Sequence, residues 1–322
     1  MHVALFFPDR LPVQGYGGTQ RAIVNLARGL AELGARVTLL AGSGSDVRET
    51  TLVPVDVRAA RGSSFDIQPL LPADIDILCA FSPLHVPPQV PWIWRLAGNR
   101  RPGEVCPPNT LFVSADHARR HGGRSFVYNG VDPKEYRFEP VKGDFDLFLG
   151  RLHRVKGYHW AVEGAKRSRR YLIVAGGWRP SLSRWVRYAG AVRGETRMAL
   201  LGGARCFWMP ALWDEPCANV LLEAMMCGTP ILGTHRGSLP DIVTAEVGAL
   251  GDSVEELVEL ARRVDRLDPA ACRARAEQHF SHLTMAEGYL GIFRHFLRTA
   301  ELPDMAEPAD RPPARAFPDR SP

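Results

Sequence analysis

Apolar residues fill positions 2–7 (HVALFF) without a gap, recur at helical spacing over 19–33 (TQRAIVNLARGLAEL), and fill 35–42 (ARVTLLAG) again. A gapless run predicts a buried strand and the three-four spacing an amphipathic helix, with Gly34 as its stop. Strand, helix and strand in so short a stretch form a βαβ unit, which demands a parallel sheet with a right-handed crossover. DIDILCAF (74–81) and TLFVSA (110–115) continue that sheet. FVYNGVDP (126–133) reads as a short β run ending in a turn, and Pro133, Pro140 and Gly143 mark a linker over 131–145.

A second alternation follows. Strands are expected at DLFLG (146–150), YLIVAGG (171–177), RYAGAV (187–192), CFWMPA (206–211) and PILGT (230–234), and helices over 158–168, 218–226 and 254–267. The pattern predicts an α/β chain of two doubly wound domains, 1–130 and 146–283. An amphipathic helix over 284–299, free to pack back on the first domain, precedes a proline-rich tail, 300–322, expected to be disordered.

Composition agrees with two domains. The 322 residues divide at roughly 150 per domain, and 45% hydrophobic content suffices for a core in each. With 23% charged residues, 30 glycines and 26 prolines, the chain is neither fibrous, coiled-coil nor wholly disordered. A net charge of +5 is a small excess on so large a surface, so nucleic acid is not an expected partner. Cys79, Cys106, Cys206, Cys217, Cys227 and Cys272 form no C-x-x-C pair, and no histidines stand at ligand spacing beside them, so no metal site is expected. Every apolar run falls short of the roughly 20 residues that cross a bilayer, and the N-terminal run is too short for an export signal. The expectation is a soluble, reduced, cytoplasmic protein. Arg95, Arg100 and Arg101, interleaved with Trp92 and Trp94, suit either a solvated basic loop or contact with acidic lipid or a charged acceptor. No other feature supports membrane contact. Asp74 and Asp76 form a D-x-D at the start of an apolar strand and read as strand-opening residues.

Each domain opens with a strand, a glycine-containing loop and a helix, which aims backbone N–H groups and a positive helix end at an anion. In QGYGGTQR (14–21), Gly15, Gly17 and Gly18 permit close backbone approach, but the spacing is not that of a nicotinamide dinucleotide fingerprint. In GRLHRVKG (150–157) a guanidinium, Arg151, and an ammonium, Lys156, suit a pyrophosphate, with His153 and Arg154 adding to the field. The alternatives are a plain turn and a solvated basic loop.

WDEPCANVLLEAMMCGTPIL (213–232) places Glu215 and Glu223 with seven residues between them. Pro216 suits a helix start, and Glu223 sits among Val220, Leu221, Leu222, Met225 and Met226, where a lone carboxylate is costly without partners. Two adjacent hydroxyls of a ribose satisfy an acceptor-only carboxylate, and so does a buried arginine. Glu215 suits the hydroxyls of a transferred sugar or an exposed cap. Backbone N–H groups of Cys217, Ala218 and Asn219 stand at the helix start, where phosphate oxygens are favoured.

Taken in order, YGGTQR, FVYNGVDP, LFLGRLHRVKG, DEPCANVLLEAMMCGTPIL and RGSLPDIV (236–243) resemble the retaining GT-B glycosyltransferases of family 4, over roughly residues 1–297. The resemblance implies two Rossmann-like domains facing a central cleft, with a nucleotide-diphosphate sugar as donor substrate and a hydroxyl compound of unknown identity as acceptor. It implies no cofactor and no metal. By the same resemblance Arg151 and Lys156 bind the pyrophosphate, Glu223 the ribose hydroxyls and Glu215 the donor sugar. The 217–220 segment, Cys217, Ala218, Asn219 and Val220, lines the donor, and Gly17 and Gly18 approach the diphosphate. Arg151, Lys156 and Glu215 are then the catalytic set for hexosyl transfer with retention. The chain departs from the family in having no histidine after DILCAF, Ala97 where another is usual, Ala218 where a glycine is usual and Cys217 for a common aromatic. A catalytically silent nucleotide-sugar binder and a nucleotide-sugar epimerase on the same architecture are the rival readings, with a nicotinamide oxidoreductase behind them.

Overall fold

The computed structural model describes residues 1–13, 15, 17–101 and 103–305. These fall into two compact units, residues 1–132 with 281–305, and residues 133–280. From residue 306 on, the expected tail lies outside the described residues.

The first unit runs β1 (His2–Phe7), α1 (Gly18–Glu32), β2 (Arg36–Gly42), β3 (Thr51–Val55), α2 (Val57–Ala60), β4 (Ile77–Ala80), β5 (Trp92–Arg95), β6 (Thr110–Leu111) and α3 (Ala115–Arg120). Its six strands are all parallel, in the order β3-β2-β1-β4-β5-β6. The gapless run at 2–7 is explained by two covered faces. Val3, Leu5 and Phe7 join one apolar cluster, and Ala4 and Phe6 the cluster on the other side, as the two-residue period of a strand requires. Gly34 adopts φ +82 just beyond α1, the left-handed stop that glycine takes without strain. The β run expected at 126–133 is reduced to two isolated bridges, Phe112 with Phe126 and Val131 with Ser281, because the turn residues between them leave no length to pair.

The second unit runs β7 (Asp146–Leu149), α4 (Tyr158–Ser168), β8 (Leu172–Ala175), β9 (Val186–Gly190), α5 (Gly194–Gly203), β10 (Cys206–Met209), α6 (Asn219–Met226), β11 (Ile231–Gly233), α7 (Leu239–Ile242), β12 (Gly248–Leu250), α8 (Val254–Ala261) and α9 (Pro269–Phe280). Its parallel sheet has the order β9-β8-β7-β10-β11-β12. Each sheet therefore reads 3-2-1-4-5-6 in its own count, the doubly wound order whose direction reverses between the first and fourth strands.

The last helix, α10 (His282–Thr299), belongs to the first unit. Met285, Ala286, Tyr289, Leu290 and Phe293 enter the same apolar cluster as Ile23, Leu26, Ala27 and Leu30 of α1. A Cβ on Gly29 would stand 2.5 Å from the His282 carbonyl oxygen, so the two helices approach backbone to backbone where the sequence has no side chain. In the second core, Asp146 is fully buried and accepts from Arg205 at 2.8 and 3.0 Å and from the Trp208 indole at 2.9 Å.

Candidate functional site

Ligands of doubly wound sheets bind beyond the carboxyl ends of the strands at the reversal point. In the second unit these strands are β7 and β10, and the loops that leave them carry Arg151 and Lys156 on one side and Glu215 on the other. After Leu149 the chain runs out at Gly150, and Arg151 stands exposed with no side-chain hydrogen bond or ion pair among the described residues. A tight turn over Arg154–Lys156 follows, and Gly157, at φ +73, hands the chain to α4. A Cβ there would lie 1.6 Å from the Pro210 carbonyl oxygen, so only glycine lets the loop after β7 lie against the loop after β10. The Leu212 N–H donates to the Val155 carbonyl at 2.8 Å and ties the two loops together.

That contact sets Lys156 on Glu215. The Lys156 ammonium lies 2.5 Å from Glu215 Oε2 and 4.6 Å from the centre of the Trp213 ring, and the Trp213 indole donates to the same oxygen at 2.6 Å. Glu215 is only 8% exposed, and a buried carboxylate is tolerated because an ammonium and an indole satisfy it. It is not an exposed cap. Gly237, at φ +59, braces it from β11's side: a Cβ at that position would meet the Glu215 backbone at 2.3 and 2.4 Å, and the Ser238 N–H donates to the Glu215 carbonyl at 2.9 Å.

Glu223 is 1% exposed within α6. Its Oε1 accepts from the Tyr136 hydroxyl at 3.1 Å, and its Oε2 pairs with Arg197 of α5. The buried arginine that the sequence left open as a partner is therefore present. An ionised carboxylate offers about four acceptor positions, so further hydroxyls are not barred by valence. At the start of α6, Ala218 occupies the cap without a side-chain hydrogen bond, and the N–H groups of Ala218 and Val220 donate to no described residue. Cys217 and Asn219 are buried beside them. In the first unit, Gly17 caps α1 with its carbonyl receiving the Arg21 N–H at 3.1 Å, and Gly18 opens the helix with free space where a side chain would go.

Among the described residues, one trio of acidic and imidazole groups brings its ligand atoms within 4.8 Å of one another: Glu32, Asp132 and His282, in the first unit. His282 Nε2 lies 3.1 Å from Glu32, a hydrogen-bonding contact near the point where the chain leaves this unit and returns.

Residues 146–267 match the family model Glycosyl transferases group 1. This segment holds Arg151, Lys156, Glu215 and Glu223. Along nearly its full length the chain is similar to the crystal structure of AviGT4, a glycosyltransferase involved in avilamycin A biosynthesis. The identity is 28% and the TM-score 0.76, with 94% of this chain and 99% of that one covered. It is 30% identical to the putative glycosyltransferase YtcC of Bacillus subtilis, over 41% of this chain and 38% of that protein. HepE of Anabaena, solved in complex with UDP-glucose, shares the fold at 14% identity and a TM-score of 0.66, over 92% of this chain and 100% of that one. The fold is the α/β GT-B fold, with two Rossmann-like units. The chain spans less than half the length of the curated relatives it matches. No helix among the described residues is long and apolar enough to cross a membrane.

Sequence reasoning brought Lys156 and Glu215 to one site but missed Arg197 and Tyr136. Trp213 adjoins the glutamate motif and was legible by proximity. Arg197 lies in GETRMALLGG (194–203), where neither period nor motif marks it.

Proposed function

We propose that the chain is a metal-independent glycosyltransferase that moves a hexose from a nucleotide-diphosphate sugar to a hydroxyl acceptor with retention. The observation that carries the reading is the Lys156–Glu215 ion pair, formed between the loops that leave the two strands at the reversal point. A cation that holds a departing diphosphate and a carboxylate that holds sugar hydroxyls must be neighbours, because the bond that breaks lies between those two parts of the donor.

Arg151, exposed and unpaired, offers its fork to the diphosphate, and Lys156 shares the charge as the C1–O bond breaks. Glu215 orients the sugar. Glu223, held by Arg197 and Tyr136, takes the ribose hydroxyls, and the N–H groups over 217–220 at the start of α6 take phosphate oxygens. The acceptor oxygen bonds to C1 on the face the diphosphate leaves, and its proton passes to the departing phosphate oxygen. Two cations supply the charge stabilisation that a metal ion gives elsewhere, and six unpaired cysteines suit a reducing compartment such as the cytoplasm.

Thermal melting with saturating UDP, GDP and ADP, and with their sugars, tests the reading. A ligand at a hundred times its Kd adds about 2.7 kcal/mol. The matching nucleotide sugar is expected to raise Tm, and Arg151→Ala and Glu223→Ala each to abolish the rise while staying folded by circular dichroism. No rise with any of these ligands overturns the donor site. Product analysis separates transfer from epimerisation, which needs no acceptor, and from silent binding, which gives no product.

A further inference from the structure

Arg95 closes β5 and is 2% exposed, so it is not part of a solvated basic loop. Its Nε donates to the Tyr289 hydroxyl at 3.2 Å, its Nη2 to Asn129 Oδ1, and its guanidinium lies 5.3 Å from the centre of the Phe81 ring. All three partners are neutral. No carboxylate among the described residues pairs with it, and its Nη1 donates to none of them.

The chain handles its other buried arginine differently. Arg205, 6% exposed, is gripped by both oxygens of Asp146 and reaches Asp265 at 3.2 Å. Burying a charge without a counter-charge is costly, and so is removing one partner of a buried pair. A guanidinium placed only for packing would be expected to carry its own acid, as Arg205 does. Arg95 instead stands at the carboxyl end of β5, a parallel strand next to β4, with Phe81 under its face. Tyr289 and Asn129 fix two of its nitrogens and so aim the fork.

We infer that Arg95 binds an oxyanion on the acceptor: the first unit takes an acceptor that carries a phosphate or carboxylate group, and the arginine's missing counter-charge comes from that group. The word acceptor rests on the transferase reading above, whereas the anion site does not. Lys would serve less well, since an ammonium cannot offer the planar two-donor fork.

The test is the melting temperature of the full chain in sodium phosphate, sodium acetate and sodium chloride at equal ionic strength. It is run on Arg151→Ala/Lys156→Ala, so that the cation pair of the second unit cannot contribute. This protein is expected to melt several degrees higher in phosphate or acetate than in chloride, and Arg95→Met added to it to lose the difference. A rise in phosphate alone assigns a phosphorylated acceptor, and a rise in acetate as well assigns a carboxylate. Arg95→Lys is expected to retain less than half of the rise, and it decides the matter should Arg95→Met not fold. No anion-specific rise, or a rise that survives the Arg95 substitutions, overturns the site. Failure of the nucleotide-sugar titration on the unsubstituted chain, with this rise intact, would instead remove the transferase reading and leave an anion-binding protein.

Discussion

At the scale of single residues, the chain sorts its buried ionisable groups by how each is compensated. Asp146 has Arg205 and an indole, Glu215 has Lys156 and an indole, and Glu223 has Arg197 and a phenol. His117 of α3 has no such partner: it is fully buried, and burial, helped by the positive charges of His121 and Arg120, pushes its pKa down to about 3. The unfolded chain binds a proton at this residue near pH 6.5, whereas the folded chain does not until about pH 3. Its contribution is therefore complete above pH 6.5 and is lost as the pH falls through that window. Urea midpoints at pH 7 and pH 4.5 should show the unsubstituted chain losing on the order of 2 kcal/mol more than His117→Leu; equal losses would refute the assignment. Glu215 and Lys156 were legible in the sequence because each sits in a loop whose strand and helix flanks are unambiguous. Arg197 was not, since a side chain that reaches a carboxylate from a neighbouring helix leaves no spacing to read, and Arg95 could not be told from Arg100 and Arg101 because three arginines close to two tryptophans look alike until the end of the strand is known.

At the scale of elements, the site depends on loops that must lie closer together than side chains allow. Gly157→Ala forces φ +73 on an alanine and sets its Cβ on the Pro210 carbonyl. A loss of about 3 kcal/mol or more is expected in chemical denaturation, together with loss of nucleotide-sugar stabilisation, since Lys156 adjoins the displaced residue. An unchanged midpoint would mean that the two loops are not in contact. Strong periods were read correctly: β1, α1, β2, β7 and α4 lie within a residue or so of their expected bounds. The missed elements are those whose pattern is diluted. β3 contains Pro54, β5 has Arg95 where the apolar run should continue, and β12 is only Gly248–Leu250. α9 was overlooked because its outer face is so rich in arginine, glutamate and glutamine that few apolar positions mark a period; Cys272, Ala276 and Phe280 are its buried side.

At the scale of the whole molecule, each unit holds its own parallel sheet in the same strand order, a duplication of architecture that the two βαβ alternations already announced. The first unit is built from two separated stretches of chain, in line with the expected helix over 284–299 that is free to pack back on it. α10 supplies Met285, Tyr289, Leu290 and Phe293 to its core, and burying one such side chain contributes about 1.5–3 kcal/mol. A chain ended at residue 280 should therefore lose hydrogen-exchange protection in β1 and β2 while β7 and β10 keep theirs. Retained protection in β1 would show that α10 is dispensable.

The same discontinuity bears on how the protein is made. Ribosomes deliver the first 132 residues early, yet the helix that seals them emerges only after the entire second sheet has been translated. During that interval the apolar strip of α1 that packs on α10 has nothing to cover it. Synthesis stalled at residue 280 should leave this half open to protease digestion, and release past residue 299 should close it.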